Sequence, residues 1–317
     1  MLTYLAHRAF NLTAALLAAS LLVFVVLSVL PGDPAEIMLG VGATPESLAA
    51  LRAELGLNES AVIRYFDWIG GVLHGDFGQS MTYGVPVAEL VLERLQVTVP
   101  LAIIAFSMAV AVALPFGVFA AVNRNRPGDY LVMGFSQLGL AVPNFWFGIL
   151  LILVFAVQLH WFQAGGFAPW ADGWGPALKS LLLPAVALAL SEAAILSRVV
   201  RSATLDVYRE DYVRTARAKG LSRPAVLFRH VLRNMLLPVV TIMGLQFAFL
   251  IAGAVVVENV FYLPGLGRLI LQAIFQRDLV VVQNIILLLA GLVVLVNFIV
   301  DLAYALIDPR PHGEAHR

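Results

Sequence analysis

Glu192 is the one carboxylate deep inside a segment that otherwise reads as continuous apolar chain, Leu178–Ser197. A charge at membrane depth costs about 2.5–3.5 kcal/mol unless it is paired or wetted, so it marks a candidate site by default. Arg198 and Arg201 follow at the end of the same segment, and the expectation is an inner-mouth cluster in which Glu192 pairs with one of them. Asp301, in the last apolar segment, is a second such carboxylate. Together, Glu192 and Asp301 could serve a self-sufficient channel or secondary carrier as ion-coupling groups.

Other chemistry is excluded or left without a set of residues to perform it. The chain has no cysteine, which removes disulfides, thiolate metal sites and cysteine nucleophiles. Its histidines, His7, His74, His160, His230, His312 and His316, are scattered, so neither a metal site nor a histidine base is expected. No GxxxxGK[ST], HExxH or GxSxG pattern occurs, so the chain has no phosphate loop of its own and no recognisable catalytic set. A membrane scaffold or an intramembrane enzyme therefore stands behind the carrier reading. No nucleic-acid signature is present, and no cofactor is expected on this chain.

The most concentrated polar feature runs from Asp206 to Pro238. It carries Arg209, Arg214, Arg217, Lys219, Arg223, Arg229 and Arg233. Asp206–Lys219 contains neither Gly nor Pro and predicts a helix roughly 20 Å long. Gly220 is placed to end it in a left-handed cap, Ser222 to cap the next helix, and Pro224 to occupy that helix's first turn. The second helix is expected to reach about Leu236, with Pro238 opening a further apolar segment. One reading of such a run is a juxtamembrane basic loop that holds anionic lipid. The other is a docking element for a protein partner.

The elements that position these residues are membrane spans. Of 317 residues, 61% are apolar and 13% charged, and the mean hydropathy is +0.89. Soluble domains have about 45–50% and about 25% respectively, so this is an integral membrane protein. Six segments reach the roughly 20 apolar residues a span needs: Ala9–Leu30, Val97–Val122, Leu131–Leu159, Leu178–Ser197, Leu237–Val257 and Asn284–Ile307. Pro143 and Pro184 suggest kinks in the third and fourth. The first run is too long for a signal-peptide core and reads as a retained helix. If the N-terminus is inside, fourteen Lys and Arg fall on the inner side and six outside, so the positive-inside rule selects N-in and C-in. Residues 1–96 then form the first span and an external segment. Residues 97–307 form a five-helix core that includes loop 198–236, and 308–317 form a cytoplasmic tail.

In the external segment Thr44 is a candidate N-cap, Pro45 the first helical residue and Gly56 the terminator, while Tyr65, Phe66 and Trp68 suit a membrane–water interface. Either it is a connector folded on the outer face, or it guides substrate or touches a delivery protein.

Several stretches resemble the permease subunits of binding-protein-dependent ABC importers, in the dipeptide, oligopeptide and nickel branch. Y-V-R-T-A-R-A-K-G-L-S, with Leu237-Pro238 beyond it, is similar to the family's cytoplasmic "EAA" loop, although Arg214, Thr215 and Ala216 replace the Glu-Ala-Ala opening. L-P-G-D-P-A, G-D-F-G-Q-S, V-P-N-F-W-F-G and N-F-I-V-D-L-A-Y-A-L-I-D-P-R resemble the same branch, as does E-x-x-F-x-x-P-G-L-G-R, which places Glu258, Pro264, Gly265, Gly267 and Arg268 in an external motif. The resemblance runs from Pro31 to Arg310. It implies the all-α type I importer permease fold in a bacterial inner membrane. It also implies that Asp211, Tyr212, Arg214, Ala216, Arg217, Lys219, Gly220 and Pro224 couple to an ATPase. The partners implied are a second homologous permease, two ATPase subunits that bind ATP and Mg, an extracytoplasmic solute-binding protein and membrane lipid. Dipeptides, longer peptides and nickel chelates are all cargo of such permeases.

Overall fold

A computed structural model describes residues 2–29, 33–54 and 56–307, without the side chains of 2–7, 34, 37, 38, 41, 54, 301 and 303–307. The expected tail 308–317 lies outside the described residues, as does the side chain of Asp301. The chain is all-helical there apart from one isolated antiparallel bridge, Gln79 to Pro86. Five helices are long and apolar enough to cross a membrane, or six spans if one bent pair is counted as a span.

The chain forms two compact units: Met1–Thr98 with Pro264–Leu295, and Val99–Leu263 with Val296–Arg317. In the first, α1 (Leu2–Val29) is followed by α2 (Pro34–Leu39), α3 (Pro45–Glu54) and α4 (Ala61–Leu73). Each short helix starts where the sequence supplies an oxygen for its orphan N–H groups. The Asp33 carboxylate accepts from the Ala35 amide at 2.9 Å and also pairs with Arg52 of α3. Burial would raise its pKa, but the Ala35 amide and Arg52 outweigh that and hold the carboxyl below its ordinary value. Thr44 and Ser47 cap α3 reciprocally, and Gly56 follows it at φ +64°, as expected. Tyr65 and Trp68 are half-buried against α1 rather than fully exposed. Tyr65 packs on Phe24 of α1 and its hydroxyl lies 2.8 Å from Ser20, while Trp68 stacks on Phe24. Phe66 alone of the three is exposed.

The second unit is built around α8 (Trp174–Arg209), which packs against α11 (Leu232–Val260), α6 (Pro127–Ala141) and α7 (Asn144–Leu151, continued by wider turns to Gln158). Its buried face is rich in small residues, among them Ala185, Ala189, Ala193 and Ala194. In lipid, small residues let backbones approach closely enough to pack. The approach of α5 (Val87–Val122) is the tightest case. A Cβ built on Gly117 would lie 2.6 Å from Val200 Cβ and 2.7 Å from the Ser197 carbonyl oxygen.

The third expected span is broken. Helices α6 and α7 meet at 97°. The cause is local: Pro143 has no N–H, and it forces Val142 before it into extended backbone at φ −91°, ψ 117°. Pro184 and Pro238, by contrast, lie inside continuous helices. Pro238 therefore opens no new segment. The chain from Arg223 to Val260 is one 38-residue span formed by α10 (Arg223–Val226), a π-helical stretch and α11.

Filling the Gly117 position tests the α5–α8 contact. Gly117→Leu must displace α8 backbone, and overpacking of this kind costs about 1–3 kcal/mol. A lower thermal midpoint in detergent is expected; an unchanged midpoint would show the contact to be loose.

Candidate functional site

Helix α8 has 36 residues, which at 1.5 Å per residue makes about 54 Å against a hydrocarbon core of about 30 Å. It is therefore longer than a span requires, and its C-terminal turns carry the charged chain that leads into the loop. The first helix of that loop is shorter than the sequence suggests. α8 continues through Arg209, Glu210 breaks it with extended backbone (φ −64°, ψ 143°), and α9 covers only Asp211–Ala218. Its length is about 12 Å rather than 20 Å. Neither Gly nor Pro marks the break. The reason lies in packing: Val213 and Ala216 are buried together against Val226 and Val231, with Val207, Tyr208, Leu221 and Leu227 around them.

Gly220 makes the return. Its φ is +86°, its N–H bonds the Arg217 carbonyl at 2.9 Å, and Leu221 N–H bonds the Ala216 carbonyl at 3.3 Å. This is the left-handed cap read from the sequence. Ser222 has N-cap backbone angles but makes no side-chain capping bond, and Pro224 lies in the first turn of α10.

Of the eight coupling-loop residues expected, seven stand at the surface and Ala216 does not. Residues 213 and 216 share one helical face three positions apart, so Ala216 is committed to the small core. On the other faces Arg214 pairs with Asp211 at 3.2 Å, both largely in solvent, an interaction worth little to stability. Tyr212 accepts a hydrogen bond from the Asn234 side chain at 2.9 Å, and the Arg217 guanidinium lies over the Tyr208 ring at 5.0 Å. Two of the exposed groups are thus oriented from within the loop itself.

The inner-mouth cluster is not assembled as expected. Glu192 is buried and accepts from Gln246 of α11 at 2.9 Å, not from an arginine. Helix geometry explains this: Arg201, nine residues on, is half a turn around α8 from Glu192, and Arg198 a third of a turn. Arg201 instead grips Asp129 in the first turn of α6 with two bonds of 2.6 and 2.7 Å, and the Asn125 amide adds a third at 3.0 Å. Nothing in the polar stretch N-R-N-R-P-G-D, residues 123–129, singles out Asp129 for this role.

The external motif divides between the two units. Glu258 is fully buried near the end of α11, where its carbonyl accepts from Leu263 N–H at 2.8 Å. Pro264 and Gly265 lead into α12 (Leu266–Gln276), whose first amide donates to Thr98 at 2.8 Å; Gly267 is buried and Arg268 half-buried on that helix. Asp278 caps α13 (Leu279–Ile307) through Val281 N–H at 3.2 Å and accepts from Ser80 at 2.5 Å and Thr82 N–H at 3.0 Å. Asn284 donates to the Phe77 carbonyl at 2.8 Å and accepts from Trp68 at 3.2 Å. The G-D-F-G-Q-S turn and the start of α13 with Asp278 before it, two hundred residues further on, are therefore halves of one hydrogen-bonded joint. Among the described residues no group of three or more His, Cys, Asp or Glu could hold a metal ion.

The described residues form apolar helices long enough to span a membrane, with the basic residues gathered at one end of α8 and in the loop after it. Family comparison agrees. Residues 113–313 match the binding-protein-dependent transport system inner membrane component, and residues 1–102 match the N-terminal component of such systems. The chain belongs to this family of inner-membrane permeases, as a multi-pass subunit of a larger transport system rather than a self-sufficient carrier. It is 41% identical over 313 residues to an oligopeptide transport system permease of Bacillus subtilis, covering 98% of this chain and 99% of that one. It is also 41% identical over 309 residues to a glutathione transport system permease of Salmonella typhimurium, covering 98% of each. An inward-facing structure of the MetNI methionine ABC transporter shares the fold at TM-score 0.58 and 17% identity, over 69% of this chain and 96% of that one.

The Asp129–Arg201 pair yields a test. Arg201→Gln leaves Asp129 a buried charge without its cation, and loss of one partner from a buried pair costs about 3–5 kcal/mol. The thermal midpoint of the purified chain should fall by several degrees, and Asp129→Asn in the same chain should recover part of that loss. Equal midpoints for wild type and Arg201→Gln would show that the pair carries no stability.

Proposed function

We propose that this chain is one of two homologous permease subunits that together line the path of an ATP-driven importer of short peptides. The outer face of α9 is the part that docks on an ATPase. The observation that carries the proposal is the loop's construction: its own apolar core, an exposed face of fixed charge, and a seat at the end of a helix longer than the membrane. A loop that only holds anionic lipid needs charge but no private core. The second permease, two ATPases carrying ATP and Mg, and a solute-binding protein outside the cell complete the assembly, with both termini of this chain in the cytoplasm. The names of the oligopeptide and glutathione relatives support peptide as cargo.

The mechanism follows from rigidity. When ATP draws the two ATPases together, α9 moves with the surface it rests on. Because Val213 and Ala216 are buried against the start of the next span, α9 cannot move without displacing both α8 and α10–α11. Those helices switch the path between inward-open and outward-open states, and the ATPases bias the switch by contacting the loop differently in each.

Gly220 is the position to disturb. A Cβ there meets no neighbour within the chain, so inside the chain a substitution acts through the left-handed backbone alone. Gly220→Asp should reduce uptake while the chain stays in the membrane and ATP hydrolysis by the assembly continues. Gly220→Val should reduce it further, because a β-branched residue tolerates positive φ least. Uptake of radiolabelled tripeptide into proteoliposomes, measured beside phosphate release, checks both; normal uptake by Gly220→Val would refute a coupling role for the loop.

A further inference from the structure

A cavity of about 920 Å³ opens between the last turns of α8 and the first turns of α11, next to the loop's apolar core, with which it shares Val207. One wall carries Arg198, Ser202 and Asp206 at four-residue intervals, so they share a face of α8, and Glu210 continues the wall where the helix ends. The opposite wall offers Asn234 and apolar surface from Leu237. Among the described residues Arg198, Asp206 and Glu210 form no ion pair, with one another or with any other group. Eight residues of helix separate Arg198 from Asp206, about 12 Å, too far for them to neutralise each other directly. The cavity therefore holds a free guanidinium at one end, two free carboxylates at the other, and a largely apolar floor between.

An unblocked peptide has the complementary arrangement: a carboxylate at one end, an ammonium at the other, and side chains of any kind between them. Extended chain spans about 3.3–3.6 Å per residue, so 12 Å corresponds to three or four residues. A guanidinium presents a planar fork of donors that a terminal carboxylate fills with two bonds. Asp206 and Glu210 accept from the ammonium, and Ser202 and Asn234 lie between the ends, within reach of the peptide backbone.

We propose that this groove is a binding site for a short zwitterionic peptide on the exit side of the path, with Arg198 holding the C-terminal carboxylate and Asp206 and Glu210 the N-terminal ammonium. The proposal rests on the peptide reading above and adds a rule to it. The site selects by end groups and length rather than by side chains, because only the ends meet charge.

The experiment uses the assembled transporter, this chain with its permease and ATPase partners, in lipid nanodiscs without nucleotide or solute-binding protein. Titration calorimetry compares trialanine with its N-acetyl and C-amide forms. Blocking either end should weaken binding by about tenfold to a hundredfold, the size of a lost charge-assisted hydrogen bond. Arg198→Gln should abolish the preference for the free carboxylate and keep that for the free amine; Asp206→Asn with Glu210→Gln should do the reverse. The ATPases should remain bound in all variants. Loss of an ATPase from Arg198→Gln would overturn the site by making Arg198 a docking residue, and so would an end-group preference that the variants leave intact, or no binding of trialanine. Uptake by wild type separates the two levels. Peptide uptake with unaltered end preference in the variants removes the groove alone, whereas no uptake of any peptide with the native binding protein removes the substrate reading itself.

Discussion

The burial of Val213 and Ala216 against Val226 and Val231 is the contact on which the rest of the loop's architecture depends. Without it, residues 210–222 would be a tether of charged chain between two spans, able to bind a partner but unable to pass a displacement to the membrane. With it, α9 is fixed to the start of the α10–α11 span and, through Val207 and Tyr208, to the end of α8. The contact is small because only two residues of α9 can face inward in little more than two turns, and the remaining faces are left free to carry charge. Shortness is thus part of the design: a helix of 14 residues would have brought a larger apolar stripe, and with it more surface to bury.

A second constraint is where polar groups can be placed in an apolar chain. Each buried polar side chain at a joint has a defined partner from a distant part of the sequence. Asp129 has Arg201, Glu192 has Gln246, Asp278 has Ser80, and Asn284 has Trp68 and the Phe77 carbonyl. Apolar packing alone is weakly directional in lipid, where tails compete on equal terms with side chains. A hydrogen bond that must be made or left unsatisfied fixes register far more sharply. Within the first unit, Asp278 and Asn284 determine where the G-D-F-G-Q-S turn lies on α13; within the second, Asp129 determines where α6 begins against α8.

Legibility in the sequence divides along the same line. Features set by a residue's own stereochemistry were readable: the Gly220 left-handed turn, the Thr44–Pro45 helix start, and the span count to within one broken pair. Features set by partners were not. The break at Glu210 has no local marker, since the packing of α9 imposes it. Glu192 was expected beside an arginine because both lie on one helix, yet six and nine residues of separation put them on different faces. Asp129 and Asp278 carry no mark in the sequence, and each is a joint with a distant partner. The consequence of Pro143 was underestimated: a proline within an apolar run can bend a span or divide it, and here extended backbone at Val142 produces a right-angle turn.

The two histories of Pro143 and Pro238 show what decides that choice. Both prolines lack an N–H and both lie in apolar chain. Before Pro143 the backbone leaves the helix and a new one starts at once, with Pro143 as its cap. Before Pro238 the chain is held in a helix from both ends: the Asn234 side chain is bonded to the His230 carbonyl on one side and to Tyr212 of α9 on the other, and Met235 and Val239 are buried together against Val200 and Ala203 of α8. Residues flanking Pro238 are thus fixed by the loop and by α8, so breaking the helix there would cost both contacts. The loop that α9 forms therefore stabilises the very helix through which its movement would be passed on. The seat of α9 and the continuity of α10–α11 are consequences of one set of contacts, and a change that loosens the first should fray the second.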